Sequence, residues 1–386
     1  MGGFRLGSIL GFEIRIDASW FIIFFLLFWS LSAGVFPQEY PDLSQAAYYG
    51  MGIVTTLLFF ASLLAHELSH SLVARTKDIP VEGITLFIFG GMAHTRMEAE
   101  EPGDELAIAG AGPLASVVIA GLFAGIAWMG RRSAWPTFLL APAEYLAWIN
   151  LILAGFNLLP GFPLDGGRLF RAVAWRVTGD VTRATRWASA GGRILGWLLI
   201  GLGAIQALGG AAVGGLWLVF IGWFLRTAAQ ASFRQHLLQS VFQGVPAREV
   251  MTSNPTTVSP DLTLRQVVDE HFLKNRYQGY PVVEEKNGRA VGLVTLEQVK
   301  EVDRDEWERT RVRDVMTPEE EVEVAPDEPM TEVLDRLREG RRRVLVVGDD
   351  RLQGVISAGD VTRWVQLEQD LEGIRPPGLP RTEEER

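Results

Sequence analysis

Met51-Gly52-Ile53-Val54-Thr55-Thr56-Leu57-Leu58-Phe59-Phe60-Ala61-Ser62-Leu63-Leu64-Ala65-His66-Glu67-Leu68-Ser69-His70 is an apolar run that closes on two histidines four residues apart. Residues so spaced share one face of a helix, so His66 and His70 can reach one metal ion together. Glu67 follows the first of them, where it can hold and deprotonate a water. Imidazole suits zinc, and an open coordination position leaves room for that water. Ionisable side chains in a spanning helix are costly and point to function. The chain holds five His in 386 residues, which makes a chance match on a buried segment the weaker alternative.

Apolar segments long enough to cross about 30 Å of hydrocarbon recur around this one. They fall at about 19–36, 48–74, 105–130, 138–160, 192–208 and 211–229. Residues 1–240 carry 15 Lys+Arg and 15 Asp+Glu, whereas 241–386 carry 21 and 31, so the whole net charge of −10 lies in the C-terminal part. That part reads as a soluble acidic domain and not a nucleic-acid binder. The absence of Cys excludes disulfides, thiolate metal sites and cysteine-protease chemistry. The opening Met1-Gly2-Gly3-Phe4-Arg5 lacks the pattern of a cleaved signal, and the first apolar run begins only at Ser19, which reads as a retained membrane helix.

Residues 81–93 are apolar but too short to span, are rich in β-branched and aromatic side chains, and end in Gly90-Gly91. A short strand or re-entrant β-hairpin is expected there, with an interfacial loop as the alternative. Backbone of that kind is tolerated at membrane depth only against protein or a water-filled cavity. Its place directly after the metal helix puts it at the cavity, and 81–89 is the expected edge for an unwound substrate segment.

Arg5 and Arg15 precede the first span, Arg75 and Lys77 follow the second, and Arg168, Arg171, Arg176, Arg183 and Arg186 lie between the fourth and fifth. Six spans with a cytoplasmic N-terminus put these clusters inside; Arg131-Arg132 breaks the rule once. An integral, multi-pass protein of a prokaryotic cell membrane is expected, with residues 1–235 as its membrane domain.

After about 235 the chain repeats itself. Val250-Met251-Thr252 returns as Val315-Met316-Thr317, 65 residues on, and Gly292-Leu293-Val294-Thr295 returns as Gly354-Val355-Ile356-Ser357, 62 residues on. The expected second domain is 245–368, with repeats at about 245–303 and 310–368. Residues 371–386, with Pro376-Pro377 and Glu383-Glu384-Glu385, read as a disordered tail.

Two histidines and a water leave zinc one ligand short. Asp165, in Asn157-Leu158-Leu159-Pro160-Gly161-Phe162-Pro163-Leu164-Asp165-Gly166-Gly167-Arg168, follows the fourth span on the same expected side as the pair. It is the candidate third ligand, with an ordinary Asp-Gly turn as the alternative. Asn157 is able to donate to a developing oxyanion or to join helices within the membrane. His94 is either a fourth ligand or substrate contact, or a polar residue at the membrane boundary. His236 and His271 have no assigned role.

An HExxH in a membrane helix, an apolar strand-like segment with Gly90-Gly91, and a later NLLPGFPLDGGR together resemble the site-2 protease family of intramembrane zinc metalloproteases, closely over about 48–170 and loosely over 1–47 and 170–230. The resemblance implies one Zn2+ per chain held by His66, His70 and Asp165. It implies Glu67 as general base and acid, Asn157 as a transition-state stabiliser, and a membrane-anchored protein in the lipid bilayer as substrate. The fold expected is a polytopic α-helical membrane domain of about six transmembrane helices plus a short re-entrant β segment, followed by a soluble α/β pair.

The repeat resembles a tandem pair of cystathionine-β-synthase (CBS) domains. In that family a Gly-apolar-apolar-Thr/Ser-x-x-Asp segment often contacts a nucleotide. Gly354-Val355-Ile356-Ser357-Ala358-Gly359-Asp360 matches, whereas Gly292-Leu293-Val294-Thr295-Leu296-Glu297-Gln298 has Gln in place of Asp. Ser357, Asp360 and Thr295 are therefore the candidate contacts to ATP, ADP or AMP, with Arg341-Arg342-Arg343 facing phosphates or solvent. A dimerising pair is the alternative use. Regulated intramembrane proteolysis is the function expected. A transporter or channel gated by CBS domains is the competing reading, which gives no reason for an HExxH joined to Asp-Gly-Gly.

Overall fold

The structure, a computed structural model, describes residues 3–88, 90–95, 99–275, 277–284, 288–338 and 341–374. The chain divides into two compact units, Met1–His236 and Leu237–Arg386.

The described residues include six candidate spans, and the second of them is α3 (Gln45–Arg75) in the first unit, capped by the Ser44 hydroxyl, which accepts from the Ala47 N–H. Its 31 residues reach about 46 Å at 1.5 Å each, so it exceeds the hydrocarbon thickness. His66 and His70 sit in its last third, and Arg75 at its end complements the helix dipole. The first span runs from α1 (Ala18–Ser30) through a π-helical turn (Leu31–Val35) into α2 (Phe36–Glu39). α4 (Pro102–Arg132), α5 (Thr137–Asn157), α7 (Val181–Leu208) and α8 (Ala212–Phe242) are the other candidate spans; the boundary between the units falls within α8. Their outer residues, such as Phe25, Leu122, Trp148 and Leu202, stay exposed, which suits lipid as solvent. α6 (Asp165–Thr178) is a shorter amphipathic helix that packs on α4 and α7.

A four-stranded sheet completes this unit: β1 (Phe4–Ile9), β2 (Phe12–Ile16), β3 (Val81–Phe87) and β4 (Gly90–Thr95), in that order. β1 and β2 form an antiparallel hairpin, β2 runs parallel to β3 with Ile14 beside Ile84, and β3 turns back into β4. The strand-like reading of 81–93 is thus borne out, but the docking edge assigned to 81–89 is not. β3 is paired on both sides, and the free edges of the sheet are β1 and β4. The cause is the hairpin ahead of the first span. Phe12, Ile14 and Ile16 alternate with Glu13 and Arg15, and the three apolar residues are buried against the core.

The fifth and sixth spans, α7 and α8, also start earlier or run further than the apolar composition indicated, from Val181 and to Phe242, because polar turns extend them beyond hydrocarbon.

The second unit opens with α9 (Ala247–Val250) and β5 (Thr252–Ser253), then α10 (Leu264–Val267), β6 (Gly279–Val283), β7 (Ala290–Thr295) and α11 (Leu296–Lys300). The repeat follows as α12 (Val312–Val315), β8 (Thr317–Pro318), α13 (Glu319–Val322), β9 (Glu323–Val324), α14 (Met330–Arg338), β10 (Arg343–Gly348), β11 (Arg351–Ser357) and α15 (Ala358–Ile374). The two repeats exchange their first strands. β5 of the first adds to β11 of the second, and β8 of the second adds to β7 of the first. Ala290, Leu293, Val322, Leu345, Val347 and Val355 form a shared core between the two sheets. The expected tail at 371–386 is corrected at its start: 371–374 end α15, where the helix simply continues through Leu371-Glu372-Gly373-Ile374, while 375–386 lie outside the described residues.

Candidate metal centre and active site

The helical spacing of His66 and His70 brings their Nε2 atoms to 3.2 Å. Asp165 is the first residue of α6, and its Oδ2 lies 3.1 Å from His66 Nε2 and 3.2 Å from His70 Nε2. Among the described residues these three form the one cluster of His, Asp or Glu close enough to share a metal ion.

Two glycines let Asp165 arrive there. A Cβ on Gly166 would lie 2.3 Å from the Leu158 carbonyl carbon, and one on Gly167 2.3 Å from that of Gly161. The loop after α5 therefore lies directly on the first turn of α6 and turns Asp165 toward the histidines. Arg168, one turn along α6, forks onto Glu105 of α4 through Nε (3.0 Å) and Nη2 (3.2 Å), and Arg171 Nη2 reaches the same carboxylate at 2.7 Å. Glu105 is fully buried, so its charge needs both guanidinium groups, and the fork fixes the rotation of α6 about its axis.

The triangle fits zinc. Ligands 2.0–2.1 Å from a tetrahedral ion stand about 3.3 Å apart, close to the three observed separations. Outward of the triangle, His66 Nδ1 lies 2.9 Å from Ser116 Oγ and His70 Nδ1 lies 2.7 Å from the Ile108 carbonyl. Neither Ser116 nor Ile108 was singled out from sequence, since both come from a helix some 40 to 50 residues away.

The cluster opens on a cavity of about 900 Å³. Glu67 lines it and lies directly beneath β4: a Cβ on Gly91 would come within 2.3 Å of Glu67 Cγ. Asn157, the last residue of α5, also lines it; its Nδ2 donates to the Leu153 carbonyl at 3.0 Å, which leaves the second N–H of the amide. Trp217, Phe224 and His236 of α8 line it as well. His236 was given no role from sequence; it is buried, with Thr182 Oγ1 3.5 Å from its Nε2. His94 falls in β4, but its side chain lies outside the described residues.

The candidate nucleotide contacts take matching positions in the second unit. Asp360 Oδ2 accepts from the Ser357 N–H (2.9 Å) and hydroxyl (2.6 Å), and Oδ1 accepts from Thr252 Oγ1 (2.7 Å). In the first repeat Gln298 Oε1 accepts from the Thr295 N–H (2.7 Å) and hydroxyl (3.0 Å), while Gln298 Nε2 donates to Thr317 Oγ1 (2.7 Å). Each end of one repeat is thus bonded to the start of the other. Arg342 pairs with Glu297 at 2.7 Å, and burial, aided by the Arg342 charge, pushes the Arg343 guanidinium below its usual range.

Comparison with known proteins agrees with both halves. The pattern of Peptidase family M50 matches residues 54–133 and 126–199, and that of the CBS domain matches 247–305 and 312–367. A Mycobacterium tuberculosis protein bearing the name "Putative zinc metalloprotease Rip3" is 36% identical, over 94% of this chain and 92% of its own. Zinc metalloprotease MJ0392 of Methanocaldococcus jannaschii is 30% identical, over 94% and 96%. Among solved structures, the site-2 protease from Methanocaldococcus jannaschii is 27% identical and covers 60% of this chain and 96% of that one, with a TM-score of 0.41. Relatives at this identity run the length of both units, and the M50 match contains His66, Glu67, His70 and Asp165: the chain belongs to peptidase family M50, as a multi-pass zinc metallopeptidase with a C-terminal pair of CBS domains.

Proposed function

We propose that this chain hydrolyses a peptide bond of a membrane-anchored protein at the cavity between its spanning helices, in regulated intramembrane proteolysis. The observation that carries the reading is the triangle of His66, His70 and Asp165, 3.1–3.2 Å on a side, set among apolar helices with Glu67 one residue along. Zinc bound there supplies Lewis acidity and lowers the pKa of water.

The remaining work falls to the chain. Glu67 takes the proton of the attacking water and returns it to the leaving amine. The N–H of Asn157 not used by Leu153 serves the carbonyl oxygen as it gains charge. A helical substrate hides its peptide groups in its own hydrogen bonds, so it unwinds, and its extended segment adds to the outer edge of β4, the strand that covers Glu67.

The membrane in this reading is the prokaryotic cell membrane, with the N-terminus and the CBS pair on the cytoplasmic side, as the Arg and Lys distribution favours. The CBS pair regulates the protease by binding an adenine nucleotide at the Ser357–Asp360 end, since Gln298 stands in place of the acidic residue at the other. Its pairing with a second copy is the further role assigned to it. Whole-length likeness to zinc metalloproteases leaves the transporter reading without support.

The test is metal content together with turnover in cells. Wild-type chain and Glu67→Gln should each hold one zinc, and cells carrying Glu67→Gln should accumulate uncleaved membrane proteins. A metal-free wild type, or a Glu67→Gln variant that cleaves at the wild-type rate, refutes the proposal.

A further inference from the structure

Ile108, Gly112 and Ser116 of α4 are spaced by four, so they stack along one side of that helix. All three are buried, and all three meet the histidine pair. The Ile108 carbonyl faces His70 Nδ1 at 2.7 Å and Ser116 Oγ faces His66 Nδ1 at 2.9 Å. Between them, a Cβ on Gly112 would lie 2.1 Å from His70 Nε2, 2.5 Å from His70 Cε1 and 2.6 Å from His66 Nε2.

We propose that this face of α4 seats the metal centre. Ile108 fixes the tautomer of His70, Ile108 and Ser116 together fix the rotation of the two imidazoles, and Gly112 keeps clear the space beside their converging nitrogens. All three are positioning residues, and the proposal rests on reading His66, His70 and Asp165 as the metal ligands.

A carbonyl only accepts, so His70 Nδ1 carries the proton of that bond, and Nε2 is the nitrogen turned toward His66 Nε2 and Asp165. A hydroxyl either donates or accepts, but donation from His66 Nδ1–H to Ser116 leaves the second Nε2 equally bare. Groups that hold the far nitrogen of a ligating imidazole set its orientation and its basicity. The Ile108 contact uses main chain, so it comes from the path of the helix and no side-chain substitution removes it.

Small residues in membrane helices commonly serve close helix packing, and Gly112 has to be distinguished from that case. At a packing glycine, an added methyl meets backbone or apolar side chains of the neighbouring helix. At Gly112 the three nearest atoms are all imidazole atoms. Imidazoles free to turn move away from a methyl, whereas imidazoles held on a metal do not. Gly112→Ala should therefore penalise the metal-loaded protein and spare the metal-free one. Gly121 lies on the same helix with nothing within 4 Å of its would-be Cβ, which makes Gly121→Ala the control.

The experiment uses the full chain in detergent. It measures zinc affinity by competition with a chelator, the absorption spectrum of the Co2+-substituted protein, and the melting temperature with and without metal. Ser116→Ala should weaken zinc binding about 10- to 100-fold, the range seen when an outer partner of a ligand is removed. Gly112→Ala should weaken it by about 100-fold or more and alter the Co2+ spectrum, with the metal-free melting temperature unchanged. Gly121→Ala should match wild type in every measurement. His66→Ala checks the underlying reading and should abolish binding. If His66→Ala loses zinc while Gly112→Ala and Ser116→Ala both keep wild-type affinity, the proposal is wrong and the ligand assignment stands. If Gly112→Ala lowers the melting temperature equally with and without metal, Gly112 is a packing residue and its clearance role is overturned. A wild type that binds no zinc overturns both readings.

Discussion

Gly91→Ala isolates the contact between β4 and Glu67, the proposed general base. The new Cβ would lie 2.3 Å from Glu67 Cγ, 2.9 Å from Cδ and 3.2 Å from Oε1. Ordinary carbon–carbon contact begins near about 3.5 Å, so Glu67 or β4 must give way by roughly 1 Å or more. A misplacement of about 1 Å in a catalytic group costs on the order of 100-fold in rate, which corresponds to about 2.7 kcal/mol of barrier. The three nearest atoms all belong to Glu67 and none to the proposed metal ligands, so zinc content should stay at the wild-type level. The assay is cleavage of a single-pass test substrate in detergent, with zinc measured on the same samples. Glu67→Gln, which cannot accept the proton, should lose about 10²–10⁴-fold with zinc retained. In the double variant Gly91→Ala should add almost nothing, because its effect runs through a carboxylate that is already gone. Full activity in Gly91→Ala, or a loss that adds in full to that of Glu67→Gln, would show that the glycine does not act through Glu67.

Three further outcomes are expected. Asp165→Asn should lower zinc affinity and activity together, since the amide is a poor ligand; full zinc occupancy by equilibrium dialysis would remove Asp165 from the ligand set. Thr85→Pro should destabilise the membrane unit and not selectively block substrate docking, because every N–H of a strand paired on both sides lies in a ladder, and the orphaned acceptor alone costs about 1–3 kcal/mol. A normal melting temperature with cleavage abolished would return the docking edge to β3. Asp360→Ala should destabilise the CBS pair by about 1–3 kcal/mol through the lost acceptor for Ser357 and Thr252, and should weaken ATP, ADP or AMP binding in calorimetric titration of the full chain. Identical heats for wild type and variant would free Asp360 of any ligand role.

What was legible in the chain follows the range over which each interaction acts. His66 and His70 need only the pitch of one helix, so their meeting was readable from four residues of spacing. The six spans were readable because lipid demands an apolar length, although their ends were not, since polar turns carry helices past the hydrocarbon. The arrival of Asp165 depends on the loop 158–164 lying on Gly166 and Gly167, and on the fork from Arg168 to a glutamate 63 residues earlier; from sequence alone an Asp-Gly turn remained open. α6 was passed over because its arginines read as loop charges, whereas Arg168 and Arg171 point inward to Glu105. The hairpin at 4–16 carried its own signal, the alternation of Phe12, Ile14 and Ile16 with charged residues, but five residues make a short pattern, and the strand that pairs with it lies some 70 residues on.

The exchange of first strands in the C-terminal unit bears on how chains of this kind can be rearranged. Thr252–Ser253 completes the sheet of the second repeat, and Thr317–Pro318 completes that of the first. A gene fusion broken near residues 303–311 would deliver one repeat without the strand its sheet borrows. Val355 and Leu293 would then each face a missing neighbour along an open, apolar sheet edge, the kind of edge that invites aggregation. Recombination, duplication and loss therefore have to move the two repeats together, and the heritable unit of this C-terminal module is the pair.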